Sequence, residues 1–139
     1  MGRINLRRVL LGGLLAGLVS NVSGIALAHF VLREDLAAMM RAAGISSFPA
    51  SAGVQHVLTR FLIGIAVVWL YAAMRPRFGP GPWTAALAGL IGWFFGQPLT
   101  ALALSSWGVI PTKVLVAAPL WGLFEMVAVA LAGAWVYKE

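Results

Sequence analysis

Glu125 is the only charged residue in the apolar stretch 114–137, and it stands close to the middle. Among the polar side chains of the other apolar stretches, Arg60, Gln97 and Asn21 stand out. An ionised carboxylate at the centre of a hydrocarbon layer costs about 3 kcal/mol even on lenient scales. Glu125 therefore needs a proton, a cation or water. A protonated carboxyl hydrogen-bonded across helices is structural. A carboxylate paired with Arg60 is a buried ion pair, and one reached by water suits proton or ion coupling, or binding of a small molecule or lipid headgroup. Gln97 precedes Pro98, so its amide is placed to satisfy freed backbone or to face Glu125. Asn21 suits an interhelical hydrogen bond or a ligand contact.

At 1.5 Å per residue, Glu125 and Asn21 lie about 16 Å from one face of the layer, Gln97 about 10 Å and Arg60 about 9 Å. Those depths fit one polar cluster open to that side. They fit four unrelated residues equally well, because depth does not fix rotation about a helix axis. His29 and His56 fall near the same rim. Two histidines and no cysteine do not make a metal or haem site, so no metal and no cofactor are expected. HExxH, GxSxG, Walker A and GxGxxG patterns are absent, and no enzyme is expected.

The elements that must position these residues are apolar helices. Of 139 residues, 61% are hydrophobic and 10% charged, and the mean hydropathy is +0.92. Soluble domains carry about 25% charged residues. The pattern predicts an all-α membrane protein: one integral domain over 1–139, built as a bundle of four transmembrane helices at about 9–32, 54–74, 83–104 and 114–137. A short interfacial helix is predicted at about 34–43, closed by Gly44. The start resembles a secretory signal, with basic residues, an apolar core and Ala26-Leu27-Ala28, but the apolar run is longer than a signal's and is expected to stay attached.

The second helix poses a problem. Its uncharged run, 61–74, reaches only about 21 Å, too short to span. Extending it backwards draws in Arg60, which then snorkels outwards or points inwards, with His56 and Gly64 on the same face. Residues 75–82 are expected to form a tight polar turn, and Pro98 to kink the third helix. Gly13, Gly17 and Gly24 on the first helix, and Gly92 and Gly96 on the third, form stripes of small residues suited to helix packing in lipid. Trp83, Trp107 and Trp135 read as interfacial anchors. Trp93 and Trp121 lie deeper and read as packing residues.

The formal charge of +6 sits at helix ends, where it orients the chain and meets anionic lipid; no nucleic-acid partner is expected. Arg3, Arg7, Arg8, Arg75, Arg77 and Lys138 fall on one side, and Arg33, Arg41, Arg60 and Lys113 on the other. The first group carries the stronger clusters, which predicts both termini in the cytoplasm.

The layout resembles a family of small bacterial inner-membrane proteins catalogued only as a domain of unknown function. The shared features are a Gly-rich first helix (LLGGLLAGLVSN), a segment with an acidic pair (REDLAAMMRAAG) and an aromatic–Gly–carboxyl stretch in the last helix (LWGLFEM). The resemblance implies a four-helix fold in a bacterial inner membrane and brings no activity or catalytic residue.

Two functions are expected from this reading. The first is a non-catalytic subunit or scaffold that forms a homo-oligomer or joins a larger membrane complex, motivated by the small-residue stripes. The alternative is a small transporter or ion- or proton-coupled carrier that uses Glu125 with Arg60, Gln97 and Asn21. Scaffolding tolerates Gln at position 125; coupling does not.

Overall fold

Glycine and proline decide where the helices stop. The computed structural model describes residues 4–137, so Arg3 and Lys138 of the two cation groups lie outside them. Helix α1 covers Leu6–Ala26 and runs into a π-helical turn at Leu27–Val31. Helix α2 covers Arg33–Ala42, α3 Ala50–Phe78, α4 Pro82–Gly96, α5 Pro98–Ser105 and α6 Thr112–Val136. No strand occurs among the described residues. Four stretches are long and apolar enough to cross a membrane: Leu6–Val31, Ala50–Phe78, Pro82–Ser105 and Thr112–Val136.

Several boundaries differ from expectation. The first helix begins at Leu6 rather than residue 9, because the Asn5 side chain accepts from the Arg8 N–H at 3.2 Å and caps it. The turn expected at 75–82 is mostly helix. Pro76 falls in the last turn of α3, where the missing N–H removes a single bond, and the helix continues to Phe78. It ends where Gly79 takes a φ of 80°, a conformation open to glycine at little cost. With both ends extended, α3 runs 29 residues and the short-span problem disappears.

Pro98 does more than kink the third span. Gln97 leaves helical geometry at φ −124° and ψ −63°, and Pro98 starts the new helix α5. Pro is at ease there, since a first-turn N–H has no intrahelical partner. The last helix starts at Thr112, two residues before the expected position 114. Gly44 closes α2 as expected, at φ 68°, with Ile45 N–H donating to the Met40 carbonyl at 2.9 Å.

Helix α1 runs antiparallel to α3 and α6, and α4 runs antiparallel to both as well, so α3 and α6 are parallel. Along α1, Gly13 faces Ile65 and Gly17 faces Phe61 of α3, while Ser20 and Ser23 face Glu125 and Trp121 of α6. Helix α4 packs on α6 and α3, and α5 packs on α4 and α6 rather than on α3. Backbones nearly touch where glycine permits. A Cβ on Gly17 would lie 2.7 Å from the Phe61 Cα, and one on Gly64 would lie 2.6 Å from the Gly13 carbonyl oxygen. A Cβ on Gly92 meets the Val67 and Met126 side chains at 3.1 and 3.2 Å. Gly96 departs from its expected packing role: a Cβ there meets nothing within 4 Å, because the break at Gln97 turns the chain away.

The apolar core sits towards one end. Val9, Ala16, Val68, Ala85, Ala88 and Val129 are buried there. Tyr71 and Tyr137 close that end with rings edge-to-face at 6.0 Å, and the Asn5 N–H donates to the Tyr137 hydroxyl at 3.2 Å. The beginning and end of the described chain therefore meet. The π-helical turn, α2 and α5 lie at the other end.

Candidate functional site

At the other end the helices are joined by charge. Arg60 of α3 and Glu125 of α6 form an ion pair, Nη1 to Oε1, at 2.7 Å. Ser20 of α1 completes it. The serine hydroxyl donates to Glu125 Oε1 at 2.9 Å and accepts from Arg60 Nη1 at 2.8 Å, and the Ser20 carbonyl accepts from the same nitrogen at 2.6 Å. Three helices thus meet at one carboxylate oxygen. The Glu125 side chain is 4% exposed and that of Arg60 17%. A pair this far from water is strongly attractive, but each ion has lost several kcal/mol of hydration, so the pair holds geometry more than it adds stability.

His56 lies one helical turn from Arg60, and Arg60 Nε donates to His56 Nε2 at 2.9 Å. A guanidinium has donors only, so Nε2 carries the lone pair and Nδ1 the proton: His56 is the neutral tautomer. The face shared by His56, Arg60 and Gly64 points inwards, which excludes the snorkelling alternative for Arg60.

The role expected for Gly24 changes. It stands one turn beyond Ser20, and a Cβ there would collide with the Arg60 guanidinium, reaching Nε at 2.8 Å. Gly24 is the notch that admits the arginine rather than a contact between helix backbones. Gly122 does the same for Gln97, whose amide occupies the space a Cβ would need.

Three of the expected polar residues converge and one does not. Arg60, Glu125 and Gln97 line a cavity of about 340 Å³, together with Ser20 and His56. Its walls are largely apolar, among them Ile63, Leu104, Ile110, Val114 and Met126. The Gln97 backbone bonds to the Trp93 carbonyl and the Ala101 N–H, but its side-chain amide makes no hydrogen bond among the described residues, and neither does Glu125 Oε2. Asn21 is outside the group. Its amide donates to the Gly17 carbonyl at 2.9 Å and to the Val57 carbonyl at 3.4 Å, which makes it a clasp between α1 and α3. One residue is about 100° of helical rotation, enough to aim Ser20 at the ion pair and Asn21 away from it. His29 is also apart, exposed in the π-helical turn with its ring against Phe30 at 4.9 Å. No group of three metal-binding side chains occurs among the described residues.

Ser20 is the site residue that sequence reading passes over, because it counts there only as a small residue. Its depth, one position from Asn21 and level with Glu125, was the available signal. Trp93 and Trp121 spend their ring N–H groups inside the molecule, on the Pro119 carbonyl and the Ser23 hydroxyl, both at 2.8 Å. Above the cavity, Lys113 at the start of α6 pairs with Asp35 of α2 at 2.6 Å.

A second cavity, about 240 Å³, is lined by Ala66, Val67, Leu70 and Gly92, and shares Ile63, Gly96, Gln97 and Met126 with the first. The arrangement can hold a solute against a preformed ion pair, and it leaves a carboxylate oxygen and an amide for that solute to bond. No protein-family model, curated protein or solved structure matches the chain, and its site is read from its own geometry.

Proposed function

We propose that this protein is a small multi-pass membrane carrier, a four-helix bundle whose working part is the cavity over the Arg60–Glu125 pair. The observation that carries this reading is the pair itself: two desolvated charges at the floor of a cavity, with Glu125 Oε2 and the Gln97 amide unspent. An ionisable residue inside a membrane is costly to keep, and one that faces a cavity suits a solute or proton path. Glu125 is the coupling carboxylate, exchanging its bond to Arg60 for one to a proton or solute. Four helices are few for alternating access, so the carrier works as a homodimer or within a larger membrane complex.

The bundle sits in a bacterial inner membrane with both termini cytoplasmic. Arg7, Arg8, Arg75 and Arg77 gather at the Asn5–Tyr137 end, whereas Glu34 and Asp35 offset the cations at the other. Exposed Trp83 and Trp135 belong to the first end and Trp107 to the second, the spacing of two interfacial belts. The cavity then opens outwards, with α2 along the outer interface.

Proteoliposomes holding a pH dye test the coupling. Under an imposed potential, wild-type protein should admit protons faster than empty vesicles, and Glu125→Gln should return the rate to that of empty vesicles. Wild-type vesicles that match empty ones remove the carrier reading.

A non-catalytic subunit or scaffold is the second reading. The span Pro82–Ser105 favours it, since 11% of its most apolar window is buried against 44% for Leu6–Val31. That face suits a second copy or a partner subunit. The glycine stripes no longer argue for it, because Gly13, Gly17, Gly24 and Gly92 meet other parts of the same chain, leaving Gly96 as the stripe member with nothing against it. Cross-linking from Phe95 in native membranes tests for such a partner, and a strictly monomeric chain rules scaffolding out; proton flux lost in Glu125→Gln is what separates a carrier from a scaffold that forms the same adduct.

A further inference from the structure

We infer that the two cavities form one groove for an uncharged amphipathic molecule, with a carbonyl or hydroxyl head at Arg60–Glu125 and a hydrocarbon tail along α3. This deepens the carrier reading and rests on its assignment of the cavity as the solute site.

The shape comes first. The cavities share Ile63, Gly96, Gln97 and Met126, so they meet side by side. Beyond that border the lining is Ala66, Val67, Leu70 and Gly92, all apolar. From Ile63 to Leu70 the groove follows α3 for about 10 Å, the length of a chain of about eight carbons. Gly96 stands at the border, where a Cβ meets nothing within 4 Å, so the passage is clear. Space of about 340 Å³ for the head and about 240 Å³ for the tail lies in the range of small-molecule sites.

The charge comes second. Arg60 and Glu125 already neutralise one another at 2.7 Å, and His56 is neutral through its bond from Arg60. An ionic head would leave one unmatched charge in a site poor in water, which is strongly unfavourable. An uncharged head escapes that penalty and still finds partners. His56 Nδ1–H and the Gln97 amide donate to a carbonyl or hydroxyl oxygen, while Glu125 Oε2 and the Gln97 oxygen accept from a hydroxyl. The head is therefore polar and neutral, and the tail is hydrocarbon.

The test uses ligands with one tail and different heads: decanol, decanoate and decyltrimethylammonium, with propanol as the tailless control. Purified protein in lipid nanodiscs takes up each at equal membrane content, and native mass spectrometry reads what stays bound. Wild type should retain decanol about tenfold more than either ion, and propanol not at all. Glu125→Gln should turn the preference to decanoate, since Arg60 is left unmatched, and Arg60→Gln should turn it to decyltrimethylammonium. Gly96→Phe, away from the ion pair, should lower decanol retention about tenfold without changing the head preference. Wild type that holds either ion as well as decanol overturns the neutral head. Gly96→Phe that holds decanol unchanged overturns the groove, and this variant keeps the test open if the charge variants fail to fold. Decanol bound without proton uptake in vesicles would sink the carrier and leave the groove standing; proton uptake without decanol binding would do the reverse.

Discussion

Near Asn5 and Tyr137 the helices meet through glycine and alanine, whereas near Arg60 and Glu125 they stand apart around a cavity and are joined by charge. In the first region Val9, Ala16, Val68 and Val129 are buried, and a Cβ on Gly12 would sit 2.5 Å from the Gly133 carbonyl oxygen, a packing that continues up to Gly89 against the Met126 carbonyl. In the second, α5 leaves α3, and Gly96 has nothing within reach. The same residue type thus has opposite meanings at the two ends. One region is held by contact, which requires small residues; the other is held by an ion pair, which requires a notch at Gly24 and a hydroxyl at Ser20.

The largest way to break this contrast is to orphan one charge. Glu125→Ala should cost about 3–5 kcal/mol, measured by steric trapping in bicelles, because Arg60 stays buried without its partner. Replacing both charges, as Arg60→Met with Glu125→Leu, should restore most of that loss, since a buried pair adds little net stability. If the double variant is as unstable as the single one, charge is what holds the open region together.

Next in size is the glycine comparison. Gly89→Ala forces its methyl group against a carbonyl and should cost about 1–3 kcal/mol in the same assay. Gly96→Ala, ten Å of helix further on by the same 1.5 Å rise, should stay within about 0.5 kcal/mol. Equal losses at both positions would end the distinction between the regions.

Ser20→Ala should be milder, about 0.6–1.7 kcal/mol, the range for hydrogen bonds between helices in a membrane. It removes the hydroxyl shared by both ions yet leaves the Ser20 carbonyl bond to Arg60 in place. Smallest is Lys113→Ala. That lysine side chain is 57% exposed, and its pair with Asp35 should be worth about 0.2–1 kcal/mol, falling further with added salt.

Much of the architecture was legible because length and hydropathy report on spans directly. The break at Gln97-Pro98 and the cap at Gly44 follow from local backbone chemistry, and both can be read from two or three letters. The boundary at 75–82 could not, because Pro76 costs one hydrogen bond without ending the helix, and the end depends on the backbone that Gly79 adopts. The site was half legible. Depth singled out Glu125, Arg60 and Gln97, but depth leaves rotation open, so Asn21 and its neighbour Ser20 exchanged roles. His56 stood out as a partner only through its four-residue spacing from Arg60. Gly24 and Gly96 look alike as letters in a stripe and differ only in what faces them.

The bond between Asn5 and Tyr137 means that the described residues nearly close a ring. Covalent order and spatial order are then separable. New ends can be cut in the exposed loop between Ala43 and Pro49, and Asn5 and Tyr137 joined by a few residues, without reversing the direction of any helix. Such a circular permutant would start at α3 and finish at α2, with its cavity walls still side by side.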